Sequence, residues 1–341
     1  MRIKKEMKLS KAVSLTLVML LAVATTVSAQ TRRERVRSRV DSVLTARYFN
    51  TPYDTNYVVR PEGRLTLKFR LNQTGNGFHA KGTVNDIYSK ADLHTSHKTT
   101  VAVVAIYRGI AVGVAINPGK LIGSYKDYEF NLNYYSSRLS LDASYQRSTT
   151  LAGNIERDGM HQLESGDVTM KVLNLAGYYT FNARQFSFPA AFTQSYIQRR
   201  SAGSWLAGFS YQGGSIKTNA EKLKARGGLA PDVRIYTGHL GLGGGYGYNW
   251  VLGKKWLLHF SALPTFVVYN RNNFTVNGER KRAKHIRFNM IFNERLAIVR
   301  NFSPRYFAGA TLVMNNSVFD DDVVVVNQNK WRARAFIGLR L

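Results

Sequence analysis

The eleven residues WRARAFIGLRL (331–341) alternate strictly along the chain between two kinds of side chain. One set of alternate positions is wholly apolar, and the other holds Arg332, Arg334 and Arg340. Successive side chains on a β-strand point to opposite faces, so this segment predicts a strand with one apolar face and one arginine-rich face. A transmembrane β-barrel strand has this pattern, with the apolar face toward lipid and the arginines toward a wet interior. A soluble sandwich fits equally well on this segment alone.

The same alternation recurs near the start of the chain, where Arg64, Lys68 and Arg70 share one face of residues 64–71. The first and last strands of a barrel are expected to pair, because a closed barrel has no free edge. With ten further segments between them, the sequence predicts an antiparallel, all-β barrel of about twelve strands, an even number as in bacterial barrels. The predicted strands are 64–71, 99–107, 110–117, 126–135, 138–147, 168–180, 205–215, 234–249, 256–268, 286–297, 306–315 and 331–341.

The connections between these strands alternate between short turns and long polar loops, the longest including residues 72–98, 148–167 and 316–330. This sorting is typical of outer-membrane barrels, which have short periplasmic turns and long external loops. Residues 181–204 break the rule, because they stand where a short turn is expected. Either two more strands lie there, which would make the count fourteen, or the segment folds inward as a plug or periplasmic cap.

The N-terminus has the features of an export signal. Basic residues precede an apolar run at 12–27, which ends in the small-residue site Val27-Ser28-Ala29. This order predicts a cleaved signal peptide at residues 1–29, with a mature chain that begins at Gln30. A membrane-anchoring helix is the alternative, but the run is shorter than the roughly 20 apolar residues that span a bilayer.

The mature chain contains no other apolar stretch of spanning length. Because only helices and closed barrels satisfy their backbone polar groups in lipid, an exported chain of this kind is either soluble or a barrel. We therefore predict an outer-membrane protein with an N-terminal periplasmic segment at 30–60 and a barrel domain at 61–341. Apolar residues at helical spacing within 31–50 predict a short basic helix, with a disordered leader as the alternative.

Composition narrows the classes of partner. The chain has 48 Lys and Arg against 21 Asp and Glu, and it has no cysteine. The absence of cysteine excludes disulfides, thiolate metal sites and a cysteine nucleophile. In a soluble protein, this excess of basic residues would suggest nucleic acid as a binding partner. Export and the lack of a nucleic-acid-binding motif argue against that partner. The expected partners are outer-membrane lipid and anionic solutes.

Six basic residues are predicted to face the barrel lumen. They could form an anion-favouring passage, since rings of one charge bias a pore. Alternatively they could form an interior ion-pair network with Glu129, Asp142 and Glu294 that merely fills the barrel. The six residues are Arg64, Lys68, Arg70, Arg332, Arg334 and Arg340.

Three segments resemble a family that is known as a domain of unknown function of exported, barrel-like proteins. They are SYIQRRSAGSW (195–205), continuing through Phe209 and Tyr211, then YDTNY (53–57), and Tyr107-Arg108-Gly109. The resemblance covers most of the mature chain. It implies a β-barrel in a Gram-negative outer membrane, and it brings no activity or site that could be transferred.

One pair of residues suggests catalysis. His259 and Ser261 lie two apart on one face of a predicted strand, as in outer-membrane lipid A deacylases, where a histidine activates a serine nucleophile. No acid is placed beside His259 by the sequence. His94 and His97 lack a third ligand, so no metal site and no cofactor are predicted. We expect a non-enzymatic, structural barrel or a narrow anion-favouring passage; the alternatives are a lipid-modifying hydrolase and a soluble β-sandwich that binds anionic glycans.

Overall fold

The computed structural model describes residues 38–341 except 40, 43–44, 47, 64, 85–86, 108–109, 122–126, 157–158, 226–231, 277, 283–288 and 321–323. The predicted signal peptide and Arg64 therefore lie outside the described residues. The strands are β1 (Val58–Val59), β2 (Leu65–Val84), β3 (Ile87–His94), β4 (Lys98–Tyr107), β5 (Ile110–Ile116), β6 (Tyr128–Tyr135), β7 (Leu139–Ser148), β8 (Ala152–Glu156), β9 (Met160–Leu163), β10 (Val168–Thr180), β11 (Ile197–Gln198), β12 (Ala202–Thr218), β13 (Val233–Leu252), β14 (Trp256–Val276), β15 (Glu279–Arg282), β16 (Met290–Asn301), β17 (Tyr306–Asp320) and β18 (Val324–Arg340). Short helices are α1 (Pro118–Leu121), α2 (Phe188–Phe192) and α3 (Ala220–Ala225).

Twelve of these strands form one curled antiparallel sheet, called the wall below. Its hydrogen-bonded order is β5-β4-β2-β18-β17-β16-β14-β13-β12-β10-β7-β6. Each of the twelve predicted segments coincides with one of these strands, so the prediction of an all-β antiparallel fold of about twelve strands is confirmed. The strands β2 and β18, which are the first and last of the wall in chain order, pair as expected, with Phe69 opposite Ile337.

The two edges of the wall are β5 and β6, and no ladder joins them among the described pairings. The sheet nevertheless curls until β6 faces β2 and β18. The Thr74 hydroxyl donates to a Glu129 carboxylate oxygen at 3.2 Å, and Arg332 donates to the other at 3.0 Å. Side chains from opposite sides of the wall therefore meet in its interior.

The wall reverses the usual distribution of polarity in a globular protein. On β2, Thr66, Lys68 and Asn72 point inward and are at most 6% exposed. Leu67 and Phe69, which alternate with them, point outward and are 37% and 51% exposed. Period-two alternation produces two opposite faces, and here the polar face is the buried one. The polar side chains fill the interior, and the apolar ones cover the outside.

Short turns gather at one end of the wall, which we call the turn end, at 136–138, 253–255 and 302–305. Longer connections gather at the other end, the loop end. The predicted long loop at 316–330 is wrong, because β17 continues to Asp320 and β18 starts at Val324. Its polar residues resemble those of a loop, but many of them face the interior, and a run of valines favours strand.

A small hydrophobic core fills the interior at the loop end. It joins β2 and β3 to β10 across the barrel, and Val326 of β18 and Ile216 of β12 pack against it. A buried Leu, Met or Phe side chain contributes on the order of 1.5–3 kcal/mol to stability. We call this group the mouth cluster: Phe78, Leu93, Leu151, Leu163, Val168, Met170 and Val172.

The chain divides into two compact units, Met1–Thr51 and Pro52–Leu341. The described residues of the first unit between 38 and 49 have helical backbone, which confirms the predicted short N-terminal helix. No helix in the described part of the chain is long and apolar enough to cross a membrane. The division into a segment at 30–60 and a barrel domain at 61–341 stays a prediction.

Candidate functional site

Residues 181–201 fold into the interior from the turn end, and we call them the plug. Among the alternatives from the sequence, the inward fold is the one observed, and the wall keeps twelve strands. Within the plug, the Ser187 hydroxyl accepts from the Ala190 amide at 3.2 Å and caps α2, with Pro189 in the first turn. All five residues of α2 are buried.

The backbone turns sharply after α2 at Gln194, whose φ of 58° lies in the left-handed region. This conformation costs a residue other than glycine roughly 1–2 kcal/mol. Hydrogen bonds hold it in place. The Gln194 side-chain amide donates to the Ala191 carbonyl at 2.6 Å, and Lys68 Nζ donates to Gln194 Oε1 at 2.6 Å. The plug is therefore held in place by a wall residue at its most strained position.

Aromatic side chains of the plug close around one histidine of the wall. The rings of Phe186, Phe188 and Phe192 lie 5.8, 5.2 and 5.1 Å from the His259 ring, centroid to centroid. All three phenylalanines are at most 6% exposed. Tyr135 of β6 packs on Phe192 at 5.4 Å from the opposite side. The apolar half of the plug thus fills the space between facing strands.

Polar contacts tie the plug to the wall at two further points. Lys68 donates to the carbonyl oxygens of Phe192 and Thr193 at 3.5 and 3.4 Å, and it is only 4% exposed. On the other side, the Asn249 amide donates to the Ser187 carbonyl at 3.0 Å. The predicted lumen cation Lys68 is therefore committed to the plug backbone.

The plug also pairs with the segment that precedes the wall. β1 and β11 form a two-stranded ribbon with Val58 opposite Gln198. The Tyr53 and Ser187 hydroxyls lie 3.0 Å apart, and burial raises the pKa of the Tyr53 phenol above its ordinary value. Residues 52–59 thus brace the plug at the turn end.

The candidate catalytic pair gains a third member. His259 Nε2 lies 3.0 Å from Ser261 Oγ, and its Nδ1 lies 2.7 Å from Asn249 Oδ1. This is the order of nucleophile, base and orienting group in acyl-transfer enzymes. All three side chains are at most 3% exposed. Asn249 was missed, although the short turn between β13 and β14 sets the register that places it opposite His259.

The remaining predicted lumen residues take part in an interior polar network. Arg332 donates to Glu129 at 3.0 Å, and Lys330 lies 3.7 Å from the same carboxylate. Arg334 donates to the side-chain oxygen of Asn133 at 3.0 Å. These contacts cross from β18 to β6, so the cations join facing parts of the wall.

Two further predicted residues lie on the same inner faces. Arg340 donates to Asn301 at 2.9 Å and to the Pro304 carbonyl at 3.2 Å, near the turn end. Arg70 is half-buried on the inner face of β2. Glu294, which was expected inside, alternates with inward residues, so it faces outward and accepts from Asn316 at 2.8 Å.

Arg295 lies at the centre of the network, although it was not among the predicted lumen residues. Its guanidinium, 2% exposed, donates to the Asp142 carboxylate and the Tyr178 hydroxyl. It also lies over the rings of Tyr178 and Phe188, 3.9 and 5.9 Å from their centroids. The Tyr135 hydroxyl donates to Asp142 at 2.7 Å. One arginine therefore links β16, β7, β10 and the plug.

Little space remains among these groups. A cavity of about 20 Å³ lies between Asp142, Arg295 and Arg332. That is enough for about one water molecule. The described residues contain no cluster of three or more metal-ligating side chains.

Comparison with known protein families identifies the family of this chain. A family model described as Domain of unknown function (DUF4421) matches residues 52–340. No curated protein sequence matches the chain.

Three of the solved structures that match the chain are those of outer-membrane proteins. The outer membrane protease OmpT of Escherichia coli is 8% identical, over 82% of this chain and 97% of that chain, with a TM-score of 0.43. The translocator domain of the autotransporter NalP of Neisseria meningitidis is 8% identical, over 93% of this chain and 100% of that chain, with a TM-score of 0.33. The attachment invasion locus protein Ail of Yersinia pestis is 12% identical, over 58% of this chain and 97% of that chain, with a TM-score of 0.25.

Proposed function

We propose the following function for this chain, which belongs to the family described as Domain of unknown function (DUF4421). It is an outer-membrane β-barrel with a closed lumen. Its role is structural rather than that of a constitutively open passage. The observation that carries this proposal is the filled interior, with the plug at the turn end, the mouth cluster at the loop end and a polar network between them.

Insertion into a membrane is supported by the outer face of the wall. Large apolar side chains cover it, and an exposed apolar surface of this extent is rare on soluble monomers. Aromatic residues stand near both ends: Trp250 and Trp205 toward the turn end are 53% and 69% exposed, and Tyr236 and Tyr269 toward the loop end are 52% and 58% exposed. Such aromatic girdles flank the apolar band of membrane barrels.

The spacing of the girdles fits a bilayer. Tyr236 and Trp250 lie on the same strand, β13, and both point outward. At about 3.3 Å per residue they are roughly 45 Å apart along the strand. With a strand tilt of about 40°, this is roughly 35 Å along the membrane normal, which matches an apolar band of about 25 Å with its interfaces. This spacing argues against the soluble β-sandwich.

Closure of the lumen is supported by how the basic side chains are used. Lys68, Arg332, Arg334 and Arg340 each donate to groups of the chain itself. An open pore biased toward anions needs charged groups that face water. Here they hold the plug and the facing strands together, so the filling network is the better interpretation of the two.

The test is fractionation followed by conductance. The expressed protein should be recovered in the outer membrane and migrate faster on gels unheated than boiled. In planar bilayers the intact protein should give no steady conductance. A variant in which residues 186–196 are replaced by a short Gly-Ser turn should conduct and favour anions. Steady conductance by the intact protein would contradict closure, and recovery as a soluble protein would contradict the membrane location.

A hydrolase is the second candidate, favoured by the Asn249–His259–Ser261 geometry. In such a reaction Ser261 Oγ would attack an ester carbonyl as His259 Nε2 takes its proton. The ester C–O bond would break, and the alcohol would leave with the proton from His259. Water, activated by the same histidine, would then hydrolyse the acyl-serine to free fatty acid and restore Ser261. The three phenylalanines of the plug cover this site, so a substrate could reach it only after the plug moves. Release of fatty acid from outer-membrane lipid by the plug-replaced protein, abolished by Ser261→Ala, would establish this activity. A closed structural barrel predicts no release from either protein.

A further inference from the structure

The outer face of the wall carries a group of cations at its loop end that takes no part in the interior network. Arg147 on β7, Lys171 on β10 and Lys217 on β12 all point outward and are exposed. These strands are consecutive in the wall. We call these three residues the outer cation cluster.

The register of the strands places the cluster's side chains together. Arg147 and Lys171 are directly opposite each other on neighbouring strands. Lys217 is opposite Thr169, which puts it diagonal to Lys171. Opposite residues have Cβ atoms about 5 Å apart and diagonal ones about 7–8 Å, so Lys171 lies between the other two cations. Arg147 and Lys217 are two strands apart, roughly 10 Å across the sheet, and only their long side chains could bring both charges to one phosphate group. Like charges directly opposite each other destabilise a sheet, so this arrangement calls for a counter-charge.

The chain supplies no carboxylate to these cations among the described residues. The ion pairs recorded there use other cations, and Arg234, which lies opposite Lys217, is paired with Asp232 at 3.0 Å. Arg147 contacts the hydroxyl of Tyr128, which is the residue opposite it on β6. An anion from outside the chain would therefore complete the cluster.

The surroundings indicate which anion. On the same outward face, the next side chains toward the middle of the wall are apolar or aromatic: Tyr145 beside Arg147 on β7, and Leu173 beside Lys171 on β10. The Tyr128 and Tyr145 rings lie 6.1 Å apart beside them. The cluster thus stands at the border between an apolar surface and water, where the headgroups of a bilayer lie. Lys and Arg bind phosphate groups with charge-assisted hydrogen bonds.

We propose that the outer cation cluster binds the phosphate group of an anionic lipid in the leaflet at the loop end, with the lipid chains along the apolar face below. The proposal rests on the membrane location proposed above. A soluble phosphate ion has no use for the apolar flank, whereas a phospholipid fills both parts of the site.

The experiment compares lipid retention by two double variants. Arg147→Gln/Lys171→Gln removes two charges from the cluster, and Lys254→Gln/Lys255→Gln removes two exposed charges from a turn at the opposite end. Each full-length protein is folded into phosphatidylcholine vesicles with 10% phosphatidic acid, extracted in mild detergent and weighed by native mass spectrometry. The intact protein and the turn variant should retain phosphatidic acid, and the cluster variant should bind it on the order of tenfold more weakly.

The outcomes separate this inference from the membrane proposal. Failure of the intact protein to float with the vesicles would refute both. Flotation with equal retention of phosphatidic acid by the two double variants would refute the cluster alone. Equal retention of phosphatidylcholine and phosphatidic acid by the intact protein would also overturn it, because the apolar face alone would then explain the binding.

Discussion

Replacing Arg295 with methionine tests whether the interior network holds the barrel together. The substitution keeps the length and apolar stem of the side chain and removes its charge and donors. Asp142 would lose its ionic partner, and Tyr178 would lose a hydrogen bond and a cation over its ring. Because Asp142 is only 15% exposed on its side chain, its carboxylate could not recover full hydration.

The expected cost follows from the burial of both partners. Arg295 is 2% exposed, which puts the pair in the class of buried ion pairs. Breaking such a pair from one side costs about 3–5 kcal/mol, because an uncompensated charge remains. Two hydrogen bonds to Asp142 survive, from Asn133 and from Tyr135, so the lower half of that range, about 3–4 kcal/mol, is expected. Adding Asp142→Asn removes the stranded charge and should restore part of the loss.

The assay is equilibrium unfolding in urea of protein folded into phosphatidylcholine vesicles, followed by tryptophan fluorescence. The intact protein, both single variants and the double variant form a thermodynamic cycle, in which partners of one network show coupling of about 0.5–3 kcal/mol. A loss below 1 kcal/mol for Arg295→Met, or additive single effects, would refute the view that this pair holds β16 and β7 together across the barrel interior.

Three further predictions concern the wall and the plug. Gly243→Ala should prevent folding or cost several kcal/mol, because a Cβ there would lie 2.0 Å from the Pro264 carbonyl oxygen. Gly77→Ala, whose Cβ would meet nothing within 4 Å, should change the free energy of unfolding in urea by less than about 0.5 kcal/mol. Asn249→Ala leaves the Ser187 carbonyl unpaired, so a loss of about 1–3 kcal/mol and faster proteolysis of the plug are expected. Burial raises the pKa of Tyr53 in the folded protein, so the stability that its neutral phenol contributes is complete below the ordinary tyrosine pKa and is lost as the pH rises above it. The free energy of unfolding of the intact protein should therefore fall above about pH 10, and it should fall less in the Tyr53→Phe variant.

The wall could be predicted from the sequence because period-two alternation determines which face each side chain takes. The twelve strands and the pairing of β2 with β18 follow from that alternation and from the need to remove edges. Strand ends were less predictable. Ser317 and Gln328 suggested a loop, yet they are at most 4% exposed, because in this fold the polar face of a strand is the buried one.

The contacts that fill the interior could not be predicted in the same way. Arg295 and Asp142 lie on strands far apart in the chain, and their meeting depends on how strongly the sheet curls. The alternation of side chains along each strand shows that both residues point inward, but it does not show which residues across the barrel they contact. The Asn249–His259 pair was within reach of the sequence, because one short turn fixes its register.

The buried acceptors of the plug and of the turn end account for two of the cations on the inner face, Lys68 and Arg340. Folding residues 181–201 into the barrel buries backbone carbonyls after the short helix α2, and each needs a donor. Lysine and arginine carry several donors on a long side chain, so one residue can satisfy several acceptors. Lys68 does this for the backbone carbonyls of Phe192 and Thr193 and for the side-chain oxygen of Gln194. Arg340 does it near the turn end for the Pro304 carbonyl and the side-chain oxygen of Asn301. A Lys68→Met variant would leave these acceptors unpaired. We therefore expect the plug to loosen and the variant to show rare conductance openings in planar bilayers. If the variant stays as closed as the intact protein, Lys68 is not needed to hold the plug in place.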